Sequence, residues 1–251
     1  MLAETNAKIS TFNSQNLANT LWALATLDHN PGEDMLNAML AETNVKMSSF
    51  NSQELANTLW ALAKLNHNPG EDMLNAMAAE TKAKISAFNS QNLANTLWAL
   101  AALDHSPRED MLHVVLAETS AKISSFNSQE LAITLWVLAK LDHDPGDNML
   151  HDMIKETNAK MSSCNAQDLA NTFWALATLD HNPGEDLLSA MLAETNAKIS
   201  SFSWQALTNT LWALEKLGHD PGEHLLNAML EETTAKVSLS THRQWRTPSE
   251  R

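Results

Sequence analysis

Six histidines, His29, His67, His105, His143, His181 and His219, recur at a fixed step of 38 residues. Imidazole is the commonest protein ligand for metals. A metal site, however, needs several donors at about 2 Å from one ion. Helices packed side by side lie about 8–10 Å apart, so residues one repeat apart cannot share an ion. Asp28 and its equivalents are the acids that travel with this column. The expectation is a residue at a helix C-terminus, where the dipole favours imidazole, with no metal and no other cofactor. His113, His151 and His224 fall outside this column.

Asparagine offers a second chemistry, because its amide both donates and accepts and so suits a base edge. One helix side would carry Asn16, Asn19, Ala23 and Thr26, spaced three or four apart. The equivalents are Glu54, Asn57, Ala61, Lys64; Asn92, Asn95, Ala99, Ala102; Glu130, Ile133, Val137, Lys140; Asp168, Asn171, Ala175, Thr178; and Ala206, Asn209, Ala213, Lys216. On one reading this strip binds RNA: the asparagines touch bases, the small third residue leaves room, and the variable first and fourth positions carry a code. On the other, the asparagines bond between neighbouring repeats as a structural ladder. Ile133 and Val137 suit polar readout poorly. Both readings stand on sequence alone.

A lysine also recurs, from Lys8 through Lys46, Lys84, Lys122, Lys160 and Lys198 to Lys236. It would make a cationic rim for phosphates. Each has a glutamate four residues before it, as Glu42 precedes Lys46, which favours a helix-stabilising pair instead. Lys64, Lys140 and Lys216, in alternate repeats, lie nearer the asparagine strip. No paired carboxylates, nucleophile–base arrangement or phosphate loop is confined to one repeat. A near-translational symmetry suits binding better than catalysis, and an enzyme is not expected.

These columns imply the elements that carry them. Trp22, Trp60, Trp98, Trp136, Trp174 and Trp212 keep the same step, with no insertion anywhere. A fixed period of this size marks a stacked array. The units are 12–49, 50–87, 88–125, 126–163, 164–201 and 202–239. Residues 1–11 repeat 39–49, as the second-helix remnant of a preceding repeat, and 240–251 fit no repeat and read as a disordered tail. In the second unit Asn51 and Glu54 form a capping box, ahead of a stripe of Leu55, Leu59, Trp60, Leu62 and Leu65 that ends near His67. Asn68-Pro69-Gly70-Glu71 then reads as a cap, a proline at the first helical position and an acid at the third. A second helix follows through Met73, Leu74, Met77 and Ala78, whose methionines read as flexible core filler. Strands are not expected, because Val, Ile and Thr are sparse and wrongly phased.

Two such helices cannot bury their own stripe, whereas stacking them on copies can. The tryptophans are expected to be buried structural residues whose truncation costs about 3–5 kcal/mol. Phe12, Phe50, Phe88, Phe126 and Phe202 form a second column at the unit boundaries. Cys164 replaces phenylalanine in the fifth unit, loosening the junction unless Phe173, which replaces leucine, refills it.

The chain of 251 residues carries 30 acids against 16 bases, a net charge of -14. That opposes indiscriminate binding to nucleic acid or anionic membrane. One cysteine excludes an intrachain disulfide and a cysteine-based metal cluster. No apolar run approaches the roughly 20 residues that span a bilayer, so no membrane partner is expected, and no targeting segment is visible at the N-terminus.

The run from Phe50 to Leu65, F-x-x-Q-x-L-A-N-T-L-W-A-L-A-x-L, and its copies over residues 12–239 resemble the octotricopeptide repeats. These are 38-residue helix–turn–helix modules of organellar RNA-binding proteins in algae and related protists. The resemblance implies an all-α solenoid, a right-handed superhelix of tandem repeats. It further implies single-stranded RNA as the partner, successive repeats meeting successive nucleotides. Such proteins support transcript processing, stability or translation in the chloroplast or mitochondrion. The small C-terminal domain that many members carry is not seen, so the resemblance gives no support for cleavage, and no small-molecule substrate is expected. A protein-binding scaffold docking a basic partner, and a truncated repeat fragment without activity, are the alternatives.

Overall fold

The computed structural model describes residues 8–103 and 109–244, with side chains as far as residue 238. Among them are twelve α-helices and no strand. Two compact units divide the chain, Met1–Phe126 and Asn127–Arg251. The first holds α1 (Ser14–Thr26), α2 (Glu33–Lys46), α3 (Ser52–Lys64), α4 (Glu71–Lys84), α5 (Ser90–Ala102) and α6 (Glu109–Lys122). The second holds α7 (Ser128–Lys140), α8 (Asp147–Ala159), α9 (Ala166–Thr178), α10 (Glu185–Lys198), α11 (Trp204–Lys216) and α12 (Glu223–Gln244). Each of the first five repeats is thus a first helix, a second helix and a three-residue 3-10 turn such as Met47–Ser49, and the sixth is the two helices. The fold class is an all-α stack of tandem helix pairs, the solenoid principle.

Local chemistry fixes each helix end. At α3, Asn51 Oδ1 accepts the Glu54 N–H at 2.9 Å while Glu54 Oε2 accepts the Asn51 N–H at 2.9 Å, the reciprocal capping box. Boxes of the same form open α1, α5, α7 and α9, whereas Ser203 alone caps α11. At the other end Asn66 takes a left-handed φ of 52°, with Asp28, Asp142 and Asp180 alike. The Asn66 N–H then donates to Ala63 O and the His67 N–H to Leu62 O, closing a Schellman motif. Asparagine and aspartate tolerate this conformation better than other non-glycine residues. The recurrent histidine therefore follows a helix end and supplies its backbone donor there; His105 lies outside the described residues.

The turn between helices differs from the expected cap. Asn68 Oδ1 accepts the Gly70 N–H at 2.9 Å, and Gly70 has φ 86°. That conformation cannot continue a helix, so Asn68 closes an Asx turn and α4 starts only at Glu71. The tail also needs moving: α12 runs on to Gln244, and residues 245–251 lie outside the described ones. Of the segment expected as a remnant helix, residues 1–7 lie outside them too, and Ile9–Thr11 form a 3-10 turn.

Within each unit the first helices pack mainly on one another, α1 on α3 on α5 and α7 on α9 on α11. Alanines line these contacts: Ala56 and Ala61 of α3 and Ala170 and Ala175 of α9 are all but fully buried. Phe50, Phe88 and Phe126 in the first unit and Phe202 in the second are also buried. Each such ring contributes about 1.5–3 kcal/mol. Cys164 and Phe173 share one buried cluster in the second unit.

The tryptophans are not in this core. Trp22 is 44% exposed, Trp212 43%, and Trp60, Trp98, Trp136 and Trp174 are half-buried. A helix held between two copies of itself and its own second helix is covered on three sides. In α3 the one open stripe is Gln53, Asn57, Trp60 and Lys64, spaced four, three and four apart. The indole is the only large apolar group on it. The cost expected from full burial, about 3–5 kcal/mol on truncation, is accordingly too high.

Candidate nucleic-acid interface

The capping boxes decide the first position of the expected reading strip. Glu54, Asn92, Glu130 and Asp168 are buried, and each side chain is bonded back to its own helix start. They are not available to a ligand. Asn16 makes the same bond but is exposed, at the start of the first stack. The third position is closed in all but the first repeat: Ala61, Ala99, Val137, Ala175 and Ala213 are buried, leaving no room for a base, and Ala23 is exposed.

The second and fourth positions stay at the surface. Asn19 and Asn209 are exposed, and Asn57, Asn95 and Asn171 are half-exposed, with Ile133 at the same place in α7. Among the described residues no hydrogen bond joins these asparagines to a neighbouring repeat. Asn171 Oδ1 instead accepts from Gln167 Nε2 of its own helix at 2.7 Å, so the structural ladder is not formed. Lys64, Lys140 and Lys216 are exposed. Thr26 is exposed and donates to Trp22 O at 2.8 Å. The Thr178 hydroxyl is buried without a partner and faces no solvent.

Sequence reasoning placed the tryptophans inside and so missed the largest groups on the open stripe. In the first unit the Trp60 and Trp98 rings lie 6.1 Å apart at a tilt of 38°. In the second, Trp136 and Trp174 lie 6.5 Å apart at 39°. Such tilted pairs are attractive beyond their burial. Lys140 Nζ sits 5.1 Å from the Trp136 ring centre and Lys216 Nζ 5.6 Å from that of Trp212. Indole faces, flanking amides and ammonium groups thus share one stripe. A signal existed in the sequence: the tryptophan falls seven residues after the glutamine and three after the asparagine, on their side of the helix.

The recurrent lysines are occupied elsewhere. Lys84 Nζ donates to Glu80 at 3.0 Å, to Ser48 O at 2.8 Å and to Phe50 O at 2.6 Å. Its three protons have three acceptors, of which Ser48 O lies at the end of the preceding repeat and Phe50 O at the first residue of its own, so the clamp spans the seam. Lys46, Lys122, Lys198 and Lys236 repeat the clamp on Phe12, Phe88, Cys164 and Phe202 carbonyls. The Glu–Lys pairs expected along the helix are present, but they hold a lysine whose main work is between repeats.

One repeat junction is electrostatically distinct. Burial raises the Asp168 carboxyl above its ordinary 3.8, against the opposing pull of the Asn165 N–H and the Ser128 hydroxyl. Burial, then the Asp168 charge, pushes the Cys164 thiol up to about 11. Ser128 Oγ also donates to Ser163 O at 3.2 Å, as Ser52 Oγ does to Ala87 O at 3.1 Å in the first unit. The group is therefore a variant of the ordinary junction, with the thiol held protonated and unreactive. Among the described residues no three His, Cys, Asp or Glu converge as metal ligands, and no helix is long and apolar enough to cross a membrane.

No curated protein matches the chain. A designed armadillo repeat protein matches at 19% identity over 86% of this chain and 99% of its own, with a TM-score of 0.25. A model described only as a protein of unknown function matches residues 8–21. The model described as the Tbc2 translation factor N-terminal domain matches twice, over residues 34–152 and 146–246. Between them the two matches take in nearly every helix pair, and the chain belongs to the family of the Tbc2 translation factor N-terminal domain.

Proposed function

We propose that this helical-repeat protein binds single-stranded RNA along the open stripe of its first helices, in support of organellar translation. Membership of a translation-factor domain family ties the chain to translation. The likeness to octotricopeptide repeats supports a chloroplast or mitochondrial setting. One observation carries the ligand: every first helix puts a partly exposed indole on its open stripe, one turn after an asparagine in all but α7 and, in α3, α7 and α11, one turn before a lysine. Base stacking on aromatic rings needs faces in water and tolerates any sequence. Asn57 and its equivalents are placed to bond the edge of a base stacked beside them, one base to a repeat. The chain acts by holding RNA, without chemistry of its own.

The net charge of -14 shapes this binding. Phosphate neutralisation ordinarily supplies much of the affinity for nucleic acid. Here the recurrent lysines are engaged in the clamps, which leaves Lys64, Lys140 and Lys216 on the stripe. Stacking must do most of the work.

The test is selection from a randomised single-stranded RNA pool at 50 mM and 150 mM salt (about 10 Å of screening at the midpoint), followed by titration. Enrichment that Asn57→Ala with Asn95→Ala reduces, at unchanged helicity, supports the reading. No enrichment even at the lower salt overturns it, and capture of a basic protein by the same stripe would replace it with a scaffold.

A further inference from the structure

The two terminal first helices differ in how they are finished. On the side that faces a preceding repeat, α3, α5, α9 and α11 bury a recurring set: Thr58, Ala61 and Leu62 in α3, and Thr210, Ala213 and Leu214 in α11. In α1 the same set is Thr20, Ala23 and Leu24, identical to α3, yet Ala23 is exposed and the other two are half-buried. With Asn16, Asn19 and Leu27, itself 76% exposed, they line an open groove of about 540 Å3. The residues are those of an interior contact, and no described residue covers them.

On the opposite side, facing a following repeat, α3 carries Ser52, Ala56, Leu59 and Ala63, and α9 carries Ala166, Ala170, Phe173 and Ala177. The alanines are buried in both helices. In α11 these positions are Trp204, Thr208, Leu211 and Glu215. Trp204 is 41% exposed, and Thr208 and Glu215 are exposed. An indole, a hydroxyl and a carboxylate replace the small groups that let two helices approach. A charge there would be buried unpaired by any further repeat. Terminal repeats with a polar outer face are how stacked arrays stop.

We infer that the outer face of α1 docks one further repeat of this same kind, and that the outer face of α11 does not. The occupant is defined by what covers the identical face of α3 within the first unit: the Ala18, Leu21 and Ala25 side of α1 itself. The α1 segment has no charged residue, which suits an alanine- and leucine-faced helix rather than a charged partner. This inference is independent of RNA binding.

Two extended chains test it. One carries residues 50–87 ahead of Phe12 in place of residues 1–11; the other carries them after residue 239. The expected result is that the first extension slows hydrogen exchange of the α1 amides at least about tenfold and raises both the urea midpoint and the m-value. The second should leave the midpoint and m-value unchanged, and should gain both when Trp204→Ser, Thr208→Ala and Glu215→Ala are added. Equal stabilisation by the two unsubstituted extensions overturns the inference. So does no change in α1 exchange on N-terminal extension. Sedimentation of the unextended chain supplies the remaining arm: a concentration-dependent dimer with protected α1 amides would make a second copy the occupant and overturn the assignment.

Discussion

Replacing Trp60 and Trp98 with leucine should separate RNA binding from folding. Both rings are half-buried on the open stripe of the first unit and touch each other at 6.1 Å. Leucine keeps much of the apolar contact with the helix but offers no flat face. A fully buried large side chain is worth about 1.5–3 kcal/mol, so half-burial with partial replacement puts the loss near 1 kcal/mol per site. The lost ring pair adds about 0.5–1.5 kcal/mol. One stacked base is worth about 1–3 kcal/mol, or roughly 5- to 150-fold in affinity for each tryptophan removed. The assay is fluorescence anisotropy with a labelled oligonucleotide taken from the selected pool, beside urea unfolding of each variant. Affinity should drop at least about 25-fold in the double variant, with a cooperative unfolding transition retained. A folded double variant that binds within twofold of the parent would refute stacking on this stripe. Salt supplies an independent check. Three stripe lysines, at about 0.7 per phosphate on a single strand, limit the slope of log affinity against log salt to about -2. From 50 to 200 mM the affinity should then fall about 20-fold, where a protein with six to ten phosphate contacts would lose about a thousandfold or more.

Lys84→Met should cost about 2 kcal/mol, because it removes charge-assisted bonds to two carbonyls that flank the seam with the preceding repeat, Ser48 O and Phe50 O; a lower urea midpoint at unchanged RNA affinity is expected, and loss of affinity alone would return this lysine to the phosphate-binding set. Asp168→Asn should leave the chain at least as stable at pH 7, since Asn92 fills the same capping role in α5. The sign follows from the raised carboxyl: folding is aided while it is protonated and loses that aid as pH rises through its folded value, so the gap between variant and parent should open above about pH 4 and close below it. Cys164, with its thiol pushed up to about 11, should react with a disulfide reagent at pH 8 at least about a hundredfold more slowly folded than in urea; equal rates would place the thiol outside the core. Cys164→Phe alone should destabilise by about 1–3 kcal/mol through overpacking, and Phe173→Leu added to it should recover part of the loss, the two sharing one cluster.

The helices, their pairing and their stacking were legible because the period repeats six times and the local signals agree with it. Asn51 and Glu54 read as a capping box and form one. The same residues show why the site was harder. Glu54 was also placed on the reading strip, and a side chain that closes a capping box cannot face a ligand as well. Counting positions three or four apart finds a helix face but does not say whether a neighbouring helix covers it. Ala61 and Asn57 are one turn apart, yet the first is buried in the stack and the second is half-exposed. Tryptophan misled for a related reason. Its size argues for burial in a helix with one apolar side, but here alanine and leucine fill three sides and leave the indole the fourth. The lysine clamp was illegible because its acceptors are backbone carbonyls 34 and 36 residues earlier, and carbonyls leave no mark in a sequence.

Near-identity of the repeats limits what the stripe can discriminate. Asparagine and tryptophan stand at the same two places in five of six first helices, so these positions select alike in every repeat. Differences enter one turn later, where Thr26, Lys64, Ala102, Lys140, Thr178 and Lys216 alternate between a cation and a small side chain. A lysine there rests over its own indole in α7 and α11. A base stacking on that ring must either take the free face or displace the ammonium toward a phosphate. On the proposed reading, the alternation would set where the backbone of a bound strand is held more than which base is read. A ligand chosen in this way is a single strand of suitable flexibility and stacking strength, with Ile133 marking the repeat where no amide reads an edge. Exchanging Ile133 for asparagine should then tighten binding to a uniform oligonucleotide by no more than one hydrogen bond, about 0.5–1.5 kcal/mol. A larger gain, or a new sequence preference centred on that repeat, would mean that edge reading rather than stacking governs the interface.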